Sequence, residues 1–188
     1  MPTPSGDDLL RTAFRDMHAV RLHGFALLVA LGDREAAASA ASRALLDGSE
    51  RLHELRHPER AAAWLRASVV RSLRRQARRA PSEAAIAAVR GLGVTGAVAA
   101  SLSALSLRER AALVASTVER FTPADVDAIL GVGPRRGRRL VTAARQRYLA
   151  SFDGASADIL RPGSLAERVM VVAARGFAPR ATRSEPSA

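Results

Sequence analysis

Apolar residues recur at helical spacing along most of this chain. From Asp7 to about Leu31, Leu10, Phe14 and Met17 return about once per turn, and Gly24 is a point where that helix could divide. Gly32 is a stop signal, and Asp33 is placed to cap a second helix with a small-residue stripe of Ala37, Ala40, Ala41, Ala44 and Leu45. Gly48 is expected to end it. Pro58 suits the first turn of a third helix, whose apolar stripe is Ala61, Leu65, Val69 and Leu73 with Trp64 beside it. Pro81 terminates that segment.

Residues 81–100 are rich in Ala, Gly and Val and carry little charge, which reads as a linker containing some helix. Ser106-Leu107-Arg108-Glu109 then has the form of a capping box, and Leu113, Val114 and Val118 continue a helix from it. Thr122-Pro123-Ala124-Asp125 signals a further start, for a short helix carrying Val126, Ile129 and Leu130. Gly131-Val132-Gly133 predicts a tight turn, and Pro134 opens a last helix reaching about Phe152. Two short helices joined by a Gly-bearing turn form the helix-turn-helix pattern. Beyond it, Ser164 to Arg175 is amphipathic, and Phe177 to Ala188 has the composition of a disordered tail.

Composition sharpens this picture. Among 188 residues, 48% are hydrophobic but only 4% aromatic, so the apolar content is mostly Ala, Leu and Val. Ala and Leu are the strongest helix formers, and the fold class expected is all-α. Two small helical domains are predicted, residues 7–80 and 101–152, joined by the 81–100 linker and followed by an extension over 153–188. With no cysteine, thiol and disulfide chemistry are excluded. No apolar run approaches the roughly 20 residues that span a bilayer, so a cytoplasmic location is expected.

The formal net charge is +11, which favours a polyanionic partner. On the helix after Pro134, Arg135, Arg138, Arg139, Thr142 and Gln146 share one face, opposite Gly137, Leu140, Val141, Ala144 and Tyr148. The first face lies where a recognition helix presents base-reading side chains to the major groove. Arginine suits that place because its fork can bond a guanine edge or clamp phosphates. Arg135, Arg136, Arg138, Arg139 and Thr142, with Thr122 at the start of the preceding helix, form the candidate DNA-reading set. A second basic array, Arg71, Arg74, Arg75, Arg78 and Arg79, occupies the end of the third helix with no acid between Arg60 and Ala80. It would track a nucleic-acid backbone.

Two apparent motifs carry less. His53-Glu54-Leu55-Arg56-His57 matches HExxH, but Pro58 follows at once and no third metal ligand is evident, so no metal is expected. Gly91-Leu92-Gly93-Val94-Thr95-Gly96 matches GxGxxG without a strand before it, so no dinucleotide cofactor is expected. No nucleophile, base and orienting group assemble in the sequence, and the chain is not expected to be an enzyme.

The order of elements resembles that of extracytoplasmic-function sigma factors, the small promoter-specificity subunits of bacterial RNA polymerase. The likeness covers roughly Leu10 to Phe152. It rests on Gly32-Asp33, Ala63-Trp64-Leu65 and Arg78-Arg79 in the first half. In the second it rests on Leu105-Ser106-Leu107-Arg108-Glu109-Arg110, Phe121-Thr122-Pro123-Ala124-Asp125-Val126, Ile129-Leu130-Gly131-Val132, and Ala143-Ala144-Arg145 followed by Leu149. The resemblance implies a first domain that binds core RNA polymerase and captures a melted promoter strand. It also implies a second domain that reads double-stranded promoter DNA through Arg135, Arg136, Arg138 and Arg139, with an anti-sigma factor as a further partner. The chain departs from the pattern at Ala38, Ser39 and Ser42, where the family carries an acidic pair and a Gln. It departs again at Arg71 in place of an Asn, and at Gly137 in place of a β-branched residue. These departures motivate an alternative: a sigma-like DNA-binding regulator, or an anti-sigma decoy, that does not itself support initiation.

Overall fold

A computed structural model describes residues 5–55, 57–76 and 96–152. Every regular element among the described residues is a helix, and none of those residues forms a strand. The elements are α1 (Gly6–Val29), α2 (Arg34–Glu50), α3 (Pro58–Gln76), α4 (Gly96–Ser103), α5 (Leu107–Leu113), a π-helical turn (Val114–Val118), α6 (Pro123–Leu130) and α7 (Pro134–Ala150). The segments expected as linker and C-terminal extension fall mostly outside this description: residues 77–95 and 153–188 lie beyond it, while α4 crosses the expected linker boundary at residue 100.

Helix α1 starts where Ser5 accepts from the Asp8 amide and has two acids in its first turn, both favourable at the positive end of a helix. It runs unbroken through Gly24. Its second half, from Leu22 to Val29, is buried on all sides, as befits a central helix. The first half behaves differently. Of the stripe read from the sequence only Phe14 is buried, while Leu10 and Met17 stand exposed beside Leu9. Spacing identified the helix correctly but not which apolar residues find a neighbour. The helix ends in two consecutive left-handed residues, Leu31 (φ 54°) and Gly32 (φ 77°). Leu31 tolerates a conformation costing about 1 kcal/mol because its side chain is buried in the core.

The Asp33 carboxylate then accepts from the Ala36 amide at 2.9 Å and starts α2. Ala37, Ala40, Ala41, Ala44 and Leu45 all face inward, and these short side chains let α2 lie close against α1 and α3. Gly48 does not end the helix, which continues to Glu50. A Cβ there would sit 3.0 Å from Phe14 and 3.1 Å from Leu65, so its role is to admit α1 and α3 at their closest approach. On α3 the expected stripe of Ala61, Leu65, Val69 and Leu73 is buried.

In the second half, Ser106 and Glu109 close the capping box, with the Glu109 carboxylate accepting from the Ser106 amide at 2.9 Å. The helix then widens. The Glu119 amide donates to Val114 and the Phe121 amide to Ala115, with Arg120 left-handed (φ 58°) between them. This π turn swings Glu119 toward α3, where its carboxylate pairs with Nε and one terminal nitrogen, two edges of the buried Arg66 guanidinium. The third edge of Arg66 reaches the Ala62 carbonyl, and its Cζ lies 5.7 Å from the Phe25 ring centroid and 5.0 Å from that of Phe121. Arg110 makes a second cross-connection: Nε donates to the Val29 carbonyl at 2.8 Å and another edge to the Leu105 carbonyl. Burial pulls its pKa down to about 10, against the opposing charge of Glu109. The buried apolar residues of both halves form a single cluster.

Helices α6 and α7 approach through another glycine. A Cβ on Gly137 would lie 1.6 Å from Asp127 Oδ1, so the Asp127 carboxylate occupies the space that any other residue would fill. Gly137→Ala is therefore expected to gain little or to destabilise alone, yet to stabilise by about 1 kcal/mol, the usual helix-propensity gain, in an Asp127→Ala background. Denaturant melts of the four variants measure this coupling, and strict additivity would refute the contact.

His18 and His23 lie buried, His18 edge-to-face with Phe14 at 4.7 Å between ring centroids. Burial, and then the charge of Arg66, holds the His18 pKa below its ordinary 6.5; burial does the same for His23. As pH falls below about 6.5 the unfolded chain takes up these protons first, so stability drops from that point toward the folded-state pKa values. The melting temperature should be level from about pH 7.5 to 8.5 and fall toward about pH 5.5, less steeply in a His18→Gln, His23→Gln variant. An identical profile for both proteins would contradict the assignment.

Candidate nucleic-acid interface

The orientation of α7 is set by the turn before it. Thr122 caps α6, its Oγ accepting from the Asp125 amide at 3.2 Å and donating to the Asp125 carboxylate at 2.6 Å. Nine residues after Thr122, Gly131 adopts the left-handed conformation (φ 62°), and the Gly131 and Val132 amides close the helix on Ala128 and Asp127. Nothing lies within 4 Å of a Cβ placed on Gly131, so glycine is there for its backbone and not for space. Pro134 then begins α7 after Gly133, which supplies no side-chain cap, and no acid lies in the first turn.

The two faces of α7 fall as the sequence predicts. Gly137, Ala144 and Tyr148 are buried, Leu140 and Val141 pack at the edge of the core, and Tyr148 stacks on Phe152 at 5.5 Å. Arg135, Arg136, Arg138, Arg139, Thr142 and Gln146 are exposed. Arg147, nearer the C-terminal end, is tied back to α5: its guanidinium donates to both Glu109 oxygens, at 2.7 and 2.9 Å. Burial acts to raise the Glu109 pKa, but hydrogen bonds from Ser106 and the charge of Arg147 prevail and hold it below the usual carboxylate range. This ion pair anchors one end of α7 and leaves the arginine-bearing end facing outward.

The second basic array divides. Arg71, Arg74 and Arg75 are all exposed on α3, but Arg71 and Arg75 line a cleft against α2 while Arg74 approaches α5. Arg78 and Arg79 lie outside the described residues. Thr122, exposed at the start of α6, has its hydroxyl engaged in the cap.

What the linear reading missed is Arg108, in the first turn of α5. Arg74 from α3 and Arg136 from α7 both stand close enough to repel it, so burial, followed by these two charges, lowers its pKa from the ordinary value. Its Nε is buried without a hydrogen-bond partner. The two basic arrays therefore meet around one guanidinium that holds an unused donor. A cation in the first turn of a helix opposes the macrodipole, and that misplacement is the one sequence signal that could have singled it out.

Such a cluster gathers positive charge at the expense of stability, as sites built to receive an anion do. Arg108→Met should therefore raise the unfolding free energy by about 1 kcal/mol, chiefly by removing an unsatisfied buried donor, with a smaller gain at high salt. A loss of stability in urea melts would show that Arg108 supports the fold instead.

Among the described residues no three potential metal ligands gather, and none of the helices is long and apolar enough to cross a membrane. His53 and Glu54 sit in an exposed turn and not on a helix, which removes the geometry that HExxH chemistry needs. The chain matches no protein-family model, no curated protein and no solved structure.

Proposed function

We propose that this chain is a cytoplasmic DNA-binding protein of the sigma-factor type, which directs RNA polymerase to promoters by reading duplex DNA with α6, the Gly131 turn and α7. The observation that carries this reading is the exposed, acid-free arginine face of α7, continued by Arg108 and Arg74 onto α3. A major groove admits a helix, and arginines at its leading end can reach base edges while flanking ones hold the backbone. In this account Arg138, Arg139 and Thr142 face bases. Arg108, Arg136 and Arg74 neutralise phosphates. Polymerase would be bound by the first half, with α2 among the contacting helices.

Ala38, Ser39 and Ser42 favour a second reading. All three are exposed on α2 and leave that face without the acids of the resembling family. A sigma-like regulator that binds DNA but not core polymerase would have no use for those acids.

Selection of bound sequences from a random duplex pool, followed by anisotropy titration, tests the DNA claim. Binding should weaken steeply with salt, with a log–log slope near −5 if about six cations meet phosphates. Substituting Arg138 and Arg139 with Ala should cost affinity for the selected sequence by about a hundredfold and leave non-specific binding much less affected. No enriched sequence would reject the reading. Pull-down of core polymerase and promoter-dependent transcription then separate sigma factor from regulator.

A further inference from the structure

Helices α2 and α3, with Arg51 at the end of α2, border a half-open cleft of about 460 Å³ on the side carrying Arg71 and Arg75. Its size is that of a small-molecule site. Three kinds of group line it. Trp64 stands half-buried in its wall, with the Arg51 guanidinium 5.9 Å from the ring centroid. Arg43 from α2 and Arg71 and Arg75 from α3 supply charge around it. Asp47 and Glu50 contribute carboxylates from the α2 side, and neither is hydrogen-bonded to those arginines.

Each kind of group restricts the occupant. The indole face favours a flat ring, as in base–aromatic stacking, and Arg51 can cover that ring from the other side. The arginines favour an anion with several acceptor oxygens, which phosphate supplies. Asp47 and Glu50 accept hydrogen bonds only, so they favour paired hydroxyl or amino donors and repel a bare anion. A metal ion is disfavoured by the surrounding guanidiniums, and a purely apolar molecule by the polar lining. A ribonucleotide carries all three matching parts: base, phosphate, and a ribose diol of the kind carboxylates bind in nucleotide sites. A nucleic-acid strand would bring a run of phosphates to a lining that already holds two carboxylates, which repel them.

We propose that this cleft binds a free ribonucleotide, its base on Trp64, its phosphates on Arg43, Arg71 and Arg75, and its ribose hydroxyls on Asp47 or Glu50. The site is separate from the α7 surface and does not depend on DNA recognition by it.

The chain contains a single tryptophan, so its emission reports on this cleft alone. Titrating the full chain with adenosine and guanosine mono-, di- and triphosphates should quench Trp64 saturably for at least one of them, with a midpoint below about 1 mM. Arg71→Ser, an exposed change that leaves the thermal melt in place, should weaken that binding by about tenfold or more. The matching deoxynucleotide should bind several-fold more weakly, and Asp47→Asn should shrink that preference. The proposal is overturned by absence of saturable quenching, by equal binding to Arg71→Ser, or by quenching with inorganic phosphate alone. Tighter binding of a single-stranded deoxyoligonucleotide than of any mononucleotide overturns it as well.

Discussion

The arrangement depends on one buried guanidinium. Arg66 lies against the rings of Phe25 and Phe121, with Glu119 on two of its edges and the Ala62 carbonyl on the third. Burying a charge is costly, and such a pair is tolerated when it is well hydrogen-bonded; here all three guanidinium nitrogens have an acceptor. Removing either partner would leave the other charge unsatisfied, at about 3–5 kcal/mol. The pair joins α3 to the end of the π turn, 53 residues along the chain. Arg110 joins the neighbouring α5 to the last carbonyl of α1. With those two connections made, the second half has little freedom to rotate on the first.

That constraint turns two local basic helices into one surface. Without it, Arg74 at the end of α3 and Arg136 at the start of α7 would be unrelated charges. With it, both converge on Arg108, whose buried Nε has no acceptor of its own. A polyanion supplying phosphate oxygens would relieve the repulsion there, as the proposed function requires. Arginine thus serves two opposite purposes: Arg66 and Arg110 hold the interior together, and Arg108, Arg135, Arg136, Arg138 and Arg139 keep the surface charged. The α2–α3 cleft draws on a third set, which faces neither the core nor α7.

Much of this was legible in the sequence because it is local. Capping residues Asp33, Ser106 and Thr122, the left-handed Gly131 and the two faces of α7 follow from spacing and side-chain chemistry within a few residues. What was not legible depends on distant partners. Nothing near Gly48 or Gly137 distinguishes a helix stop or a weak position from a contact point; Phe14, Leu65 and Asp127 decide it. Nothing near Glu119 announces a π turn, since that turn is stabilised by the pairing with Arg66. Leu10 and Met17 have the spacing of a buried stripe but stand exposed. The arginines of α3 looked like one array because helical periodicity gives faces, and only the packed molecule shows that Arg71 and Arg74 serve different ones.

The central claim is that buried arginine contacts hold the two halves in one fixed arrangement. Because the chain has no cysteine, spin labels can be placed cleanly at Arg60→Cys on α3 and Arg145→Cys on α7, both exposed. Pulsed electron resonance should give one narrow distance distribution that broadens when Glu119→Ala removes the partner of Arg66. A broad distribution with Glu119 intact, or a narrow one unchanged by its loss, would contradict the account.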